Sequence, residues 1–278
     1  MLALVCVPIA SLYHSPDSHF PKSDELFYGS FVNIKQVLSG SWCKVRTFYR
    51  YEGYVSKKQL LPLPLWQDIR QKSDRKHCGT LKIVTKNFCD LLAEPSVKSP
   101  LLDTFPCGSF FYELGKEQGY SKILLFQGVI GYCNSSFLSP CPDYSEQNRP
   151  DENDFRHIIT KTALSYLGTP YRWGGKSYLG IDCSGLTFMS YFLNGIIIYR
   201  DSQMKAGFPV HPIPKEEKKP GDLLYFPGHV AMYLGDQQFI HSTGQINPGG
   251  VIIENFKPES SRYRKDLHDS FLGAGSIF

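Results

Sequence analysis

Cys183 stands in Asp182-Cys-Ser-Gly185, directly before a stretch in which Leu186, Met189, Phe192 and Leu193 recur at helical spacing. A cysteine at the start of a helix meets unpaired backbone N–H groups and the positive end of the helix dipole. Both favour thiolate, so its pKa is expected to fall below the free-thiol value of about 8.5. The same N–H groups can hold the oxyanion of a tetrahedral intermediate. A nucleophile also needs a base. His229 opens His229-Val-Ala-Met-Tyr-Leu234, His241 closes Gln237-Gln-Phe-Ile-His241, and Gly235-Asp236 between them reads as a hairpin turn. The two histidines are equidistant from that turn, which predicts cross-strand neighbours on one face. A His-His pair beside a thiol supplies a base and the group that orients it. The same three side chains are also a chemically acceptable zinc set, and the residues alone leave both readings open.

The elements that must position these groups occupy the last third of the chain. Asp154 can cap a helix over 155–167, in which Ile158, Ile159, Ala163, Leu164 and Leu167 recur at helical spacing before Gly168 and Pro170 stop it. Tyr171-Arg-Trp-Gly-Gly175 leads as a loop to Cys183, and Lys219-Pro-Gly-Asp-Leu-Leu-Tyr-Phe-Pro-Gly228 is a turn followed by a strand. Upstream, residues 140–154 are rich in Pro, Asp, Glu, Ser and Asn and read as a linker.

The front half repeats itself at a shift of about 79 residues. Gly29-Ser-Phe31 lies over Gly108-Ser-Phe110. After a one-residue gap, Trp42, Lys44 and Val45 match Tyr120, Lys122 and Ile123, and Gly53-Tyr54 matches Gly131-Tyr132. Each copy consists of short segments rich in Val, Ile, Phe and Tyr, broken by Gly, Ser, Pro and Asp, which predicts a small β-barrel. Trp42 and Tyr120 read as core or barrel-edge aromatics in preference to ligand contacts. The apolar run Leu2 to Ala10 reads as a strand; it has no preceding Lys or Arg and lacks the length of a membrane span. The expected boundaries are a first barrel over 1–65, a linker over 66–80, a second barrel over 81–141, a linker over 142–153 and a last domain over 154–278.

The motifs of the last domain, Tyr171-Arg-Trp-Gly-Gly, Asp182-Cys-Ser-Gly, Pro220-Gly-Asp-Leu-Leu-Tyr-Phe, Gly228-His-Val-Ala-Met-Tyr and Ile240-His241, resemble in order and spacing those of the NlpC-type cell-wall endopeptidases. Trp42-Cys-Lys-Val45 and Glu52-Gly-Tyr-Val55 resemble the bacterial SH3 domain, and the whole chain is similar to the γ-D-glutamyl-L-diamino-acid endopeptidase subgroup. The resemblance implies an α+β papain-like domain behind two SH3-like barrels, hydrolysing the γ-D-glutamyl–diamino acid bond of peptidoglycan stem peptides or muropeptides without a cofactor or metal. It implies Cys183 as nucleophile, His229 as general base and His241 as the residue orienting it. Tyr171, Trp173, Asp182, Ser184 and the Arg200-Asp201-Ser202 segment match substrate-pocket positions, although Trp173 and Arg200 would serve equally as a packed aromatic and half of an ion pair. The subgroup's acidic contact to a free substrate amine falls nearest to Glu52, which reads better as an exposed surface residue. An amidase cutting between sugar and peptide, and an inactive wall-binding protein, are the rival readings.

The composition agrees with this and narrows the partners. A chain of 278 residues with 42% hydrophobic content can bury several cores. A net charge of +4, from 30 basic and 26 acidic residues without a basic run, does not call for nucleic acid. Eight cysteines form no dense framework, and Cys6, Cys43, Cys89 and Cys133 lie in apolar or strand-like stretches, as buried free thiols do. His77-Cys78 with Cys89 lacks the paired spacing of a zinc site. The compartment is left open.

Overall fold

The computed structural model describes residues 1–74, 76, 79–143, 151–247 and 249–278. They form two compact units, Met1–Cys141 and Pro142–Phe278. His77 and Cys78, and most of the segment read as the second linker, lie outside the described residues.

The first unit carries the repeat as two all-β sheets. The first is built from β1 (Leu2–Val5), β2 (Ile9–Tyr13), β3 (Lys22–Phe27), β4 (Phe31–Val37), β5 (Trp42–Thr47), β6 (Glu52–Ser56) and β7 (Leu60–Pro62). The apolar opening run is therefore two strands, with Cys6-Val-Pro8 as the break between them. After α1 (Leu63–Ser73) come β8 (Thr80–Val84), β9 (Phe88–Leu92), β10 (Leu101–Pro106), β11 (Phe110–Glu117), β12 (Tyr120–Leu124), β13 (Ile130–Asn134) and β14 (Leu138–Pro140). The spatial orders β3-β2-β6-β5-β4-β1-β7 and β10-β9-β13-β12-β11-β8-β14 are the same order displaced by seven strands. These are the two copies of one small all-β unit that the repeat predicts.

Residues 63–73, most of which fall in or beside the expected first linker, are helical. Pro64 sits in the first turn, where a missing N–H costs nothing. The helix drops Trp66 into a core shared by both copies, edge-on to Phe126 at 4.7 Å and to Tyr112 at 5.8 Å. Tyr28 from the first copy stacks on Phe126 of the second at 4.4 Å, and its hydroxyl accepts the Phe126 N–H at 2.8 Å. Cys43, Cys89 and Cys133 are buried as expected, whereas Cys6 is partly exposed. Trp42 is partly buried and packs edge-on to Tyr13 at 5.6 Å.

The second unit is α+β. It comprises α2 (Glu152–Leu164), the short pair β15 (Lys176–Ser177) and β16 (Gly180–Ile181), α3 (Cys183–Phe192), β17 (His211–Ile213), β18 (Leu223–Phe226), β19 (His229–Gly235), β20 (Gln238–Thr243), β21 (Gly250–Asn255), α4 (Lys265–Asp269) and β22 (Gly273–Ser276). One antiparallel sheet runs β17-β22-β18-β19-β20-β21, and α3 packs against β19 and β20. Helix α2 starts three residues earlier than the spacing predicts, because Asp151 and not Asp154 is its cap, accepting the Asn153 N–H at 2.9 Å. It ends at Leu164, and Leu167 lies in the turn that follows. No helix among the described residues is long and apolar enough to cross a membrane.

Candidate active site

Cys183 is the first residue of α3, the helix start that the sequence predicts, and Asp182 is its cap. The Asp182 carboxylate accepts the Gly185 N–H at 2.5 Å and the Ser184 hydroxyl at 3.1 Å on Oδ1, and the Gly174 N–H at 2.8 Å on Oδ2. Arg200 donates to both oxygens, at 3.1 and 3.2 Å, and to Ser184 Oγ at 2.7 Å and the Gly175 carbonyl at 3.3 Å. Arg200 is 1% exposed and Asp182 and Ser184 are 7% exposed each, so these polar groups are satisfied chiefly by one another. What they hold is the turn from Gly174 to Cys183. An Arg–carboxylate fork buried to this degree is rigid, and removing one partner would leave a charge unpaired.

Helix α3 is buried on every side, so its first residue is pressed against the sheet. Backbone N–H groups of Val230 and Ser184 act on the Cys183 thiol, which places it near the start of β19, the strand that His229 opens. The expected drop in its pKa does not occur in the resting protein. Burial first, and then the Asp182 charge, push the thiol up to about 11, against the opposing pull of the two N–H groups and Arg200.

His229 and His241 do meet, with Nε2 of His229 2.8 Å from Nδ1 of His241. They are not directly opposite. A register shift between Tyr233 and Gly235 makes Tyr233 face Phe239, so the two histidines are diagonal neighbours on one face. Asp236 and Gln237 form the turn, both at positive φ. The chain of hydrogen bonds continues into residues the sequence did not single out. Nε2 of His241 lies 2.7 Å from Oε2 of Glu254, which also accepts from Arg264 at 2.6 Å, and Arg264 grips Asp266 at 2.8 and 2.6 Å. Glu254 lies on β21, and its register to β20 is a pairing between strands that local spacing does not reveal.

Burial pushes His229 down to about 3, helped by the neighbouring His241 and Arg264 and opposed by Glu254 and Asp266. His241, fully buried, is also lowered by burial, against the raising effect of Glu254. Burial raises Glu254, but its hydrogen bonds to His241 and Arg264 outweigh that and leave it below the ordinary carboxylate value. The resting site therefore holds a neutral thiol, two neutral imidazoles and an ionised carboxylate. Both ring nitrogens of His241 are engaged in hydrogen bonds, which leaves neither lone pair free for a zinc ion in this arrangement.

Tyr171 is half-buried; burial, then the Cys183 and Asp182 charges, push its phenol up to about 12, so it stays protonated beside the cysteine. Its ring passes close to Gly244, where an added Cβ would come within 3.3 Å of Cε1. Trp173 is 63% exposed, and Asp201 and Ser202 are partly exposed. Glu52 is an exposed residue at the start of β6, 3.9 Å from Lys44.

Residues 168–265 match the NlpC/P60 family. The chain is 38% identical to dipeptidyl-peptidase 6 of Lysinibacillus sphaericus over the full length of both. It is 43% identical to the γ-D-glutamyl-L-lysine dipeptidyl-peptidase of Bacillus cereus over 73% of this chain and 62% of that one. A crystal structure of an NlpC/P60 family protein from Bacillus cereus superposes with a TM-score of 0.77 at 24% identity, covering 99% of this chain and 98% of the other, and shares the fold. A full-length relative at this identity, with the family's motifs spanning the cysteine and both histidines, means that the chain belongs to the NlpC/P60 family of peptidoglycan peptidases.

Proposed function

We propose that the protein is a cysteine dipeptidyl-peptidase that hydrolyses the amide between γ-D-glutamate and the diamino acid of a peptidoglycan stem peptide, releasing the N-terminal dipeptide. The observation that carries the chemistry is the hydrogen-bonded line from His229 through His241 to Glu254, on the strand whose Val230 N–H acts on the Cys183 thiol. Cys183 attacks the carbonyl carbon while its proton passes to His229. The N–H groups at the start of α3 and the protonated Tyr171 face the oxyanion. Collapse transfers the His229 proton to the leaving amine and leaves a thioester, which water hydrolyses with His229 again taking a proton. Because thiol and imidazole both rest neutral, the proton moves during attack and the reactive ion pair is formed only with substrate in place.

The relatives' names bear on which bond and which end. The Bacillus cereus relative is called a γ-D-glutamyl-L-lysine dipeptidyl-peptidase and the full-length relative a dipeptidyl-peptidase, not endopeptidases. A dipeptidyl-peptidase must recognise a free amine two residues before the bond it cuts. A charge-assisted contact to that ammonium contributes about 1.5–3 kcal/mol, or roughly 10- to 100-fold in kcat/KM. L-Ala-γ-D-Glu-L-Lys should therefore be cut that much faster than its N-acetylated form, with L-Ala-D-Glu as the product, and the Cys183→Ala protein should release nothing. Equal rates on the two peptides would make the enzyme an endopeptidase. Release of an intact stem peptide from muropeptides would make it an amidase.

A further inference from the structure

We infer that Glu254, braced by Arg264, is a positioning residue that sets the tautomer of His241 and through it the nitrogen with which His229 acts; this rests on the Cys183–His229 reading above. An ionised carboxylate only accepts hydrogen bonds, so the 2.7 Å contact requires the proton of His241 to sit on Nε2. In a neutral imidazole the other nitrogen, Nδ1, then carries a lone pair and can only accept. The 2.8 Å contact from His229 must consequently be donated by Nε2–H of His229. That leaves Nδ1 of His229 as its basic nitrogen, which on the Cys183–His229 reading is the one that takes the thiol proton. Reversing the His241 tautomer would put a proton on both sides of the His229 contact, or turn the wrong His229 nitrogen into the base.

The geometry makes this arrangement rigid. The three residues lie on β19, β20 and β21 and form a diagonal across one face of the sheet, two residues offset at each step. His241 is 0% exposed and edge-on to Phe239 at 5.3 Å, so no water competes for its nitrogens. Arg264 holds the same Glu254 oxygen at 2.6 Å and is itself held by Asp266, which stops the carboxylate from rotating away. The charged and titratable groups acting on His229 are His241 from β20, Glu254 from β21, and Arg264 and Asp266 at the start of α4. When His229 takes the thiol proton, the negative Glu254 stabilises the imidazolium one ring away, while Arg264 limits that effect.

The experiment combines nitrogen NMR of histidine-labelled protein with kinetics of Glu254→Gln and Glu254→Ala on L-Ala-γ-D-Glu-L-Lys. In the wild type, His241 should show the Nε2–H tautomer and His229 the same. Glu254→Gln keeps an acceptor but loses the charge: the tautomer should persist, and the acid limb of kcat/KM should move to lower pH, because a group that raises the pKa of His229 has gone. Glu254→Ala should mix the tautomers and lower kcat about 10- to 100-fold with KM unchanged, the scale expected when the partner orienting a functional histidine is removed. An Nδ1–H tautomer of His241 in the wild type overturns the inference whether or not the variants fold. Wild-type kinetics in a folded Glu254→Ala protein overturn it as well, provided Cys183→Ala is inactive. An active Cys183→Ala protein would overturn the underlying reading instead.

Discussion

At the scale of single residues, this site separates a nucleophile's position from its protonation. Cys183 has the helix N-terminus and two N–H donors that favour a thiolate, yet burial and Asp182 leave it a thiol. Removing the proton acceptor is then more damaging than removing the residue behind it. His229→Ala deletes the only proton acceptor proposed for both half-reactions and should cost roughly 10²- to 10⁴-fold in kcat. His241→Ala leaves that acceptor and loses its orientation, so activity should fall but stay measurable above that of Cys183→Ala. A folded His241→Ala protein as inert as Cys183→Ala would mean that His241 does more than orient. Three of these residues were legible in the sequence because each opens or closes an element: Cys183 begins α3, His229 begins β19, and His241 lies near the end of a strand joined to it by a two-residue turn. Glu254 was not, since nothing local marks a carboxylate inside Val251-Ile-Ile-Glu-Asn255 as different from any solvent-facing strand residue.

At the scale of elements, the site depends on how closely two backbones approach. The turn before α3 folds back so that Gly185 lies against the Gly175 carbonyl; an added Cβ would stand 2.2 Å from that oxygen and 3.0 Å from Oδ1 of Asp182. Neither neighbour is a flexible side-chain end, because Gly175 is backbone and Asp182 is held by Arg200 and the helix cap. Gly185→Ala should therefore destabilise the second unit, on the order of 1–3 kcal/mol, and displace the N-terminus of α3. Its kcat should fall further than its stability explains. A folded protein with an unchanged melting temperature and wild-type kcat would show that the turn can open without moving Cys183. The start of α3 was legible from the apolar stripe that follows Cys183, whereas that of α2 was not, because Asp151 and Asp154 both precede its stripe and Asp151 is the cap.

At the scale of the whole molecule, buried neutral groups define a pH range of stability. His229 and His241 have folded pKa values below 6.5, so the unfolded chain binds protons that the folded one does not, and their contribution is present above about pH 6.5 and lost as pH falls. Cys89, Cys141 and Cys183 have folded values above 9.0, so the unfolded chain releases protons first and stability is lost as pH rises past about 9. The melting temperature should be flat between those limits and fall on both sides; a midpoint still rising below about pH 6 would contradict the burial of the histidines as neutral groups. The sequence by itself determined the class of each half: a repeat of short β segments in front, and behind it a cysteine before a helix with two histidines flanking a hairpin. These are local facts, set by side-chain periodicity, by turn residues and by which backbone groups a helix end leaves unpaired. Only the tertiary structure decided that residues 63–73 are a helix whose Trp66 joins the two copies, that the histidines meet diagonally through a register shift, and that Glu254 and Arg264 complete their line. Each of these depends on strand register or on packing between segments distant in the chain, and neither quantity is encoded in the spacing of neighbouring residues.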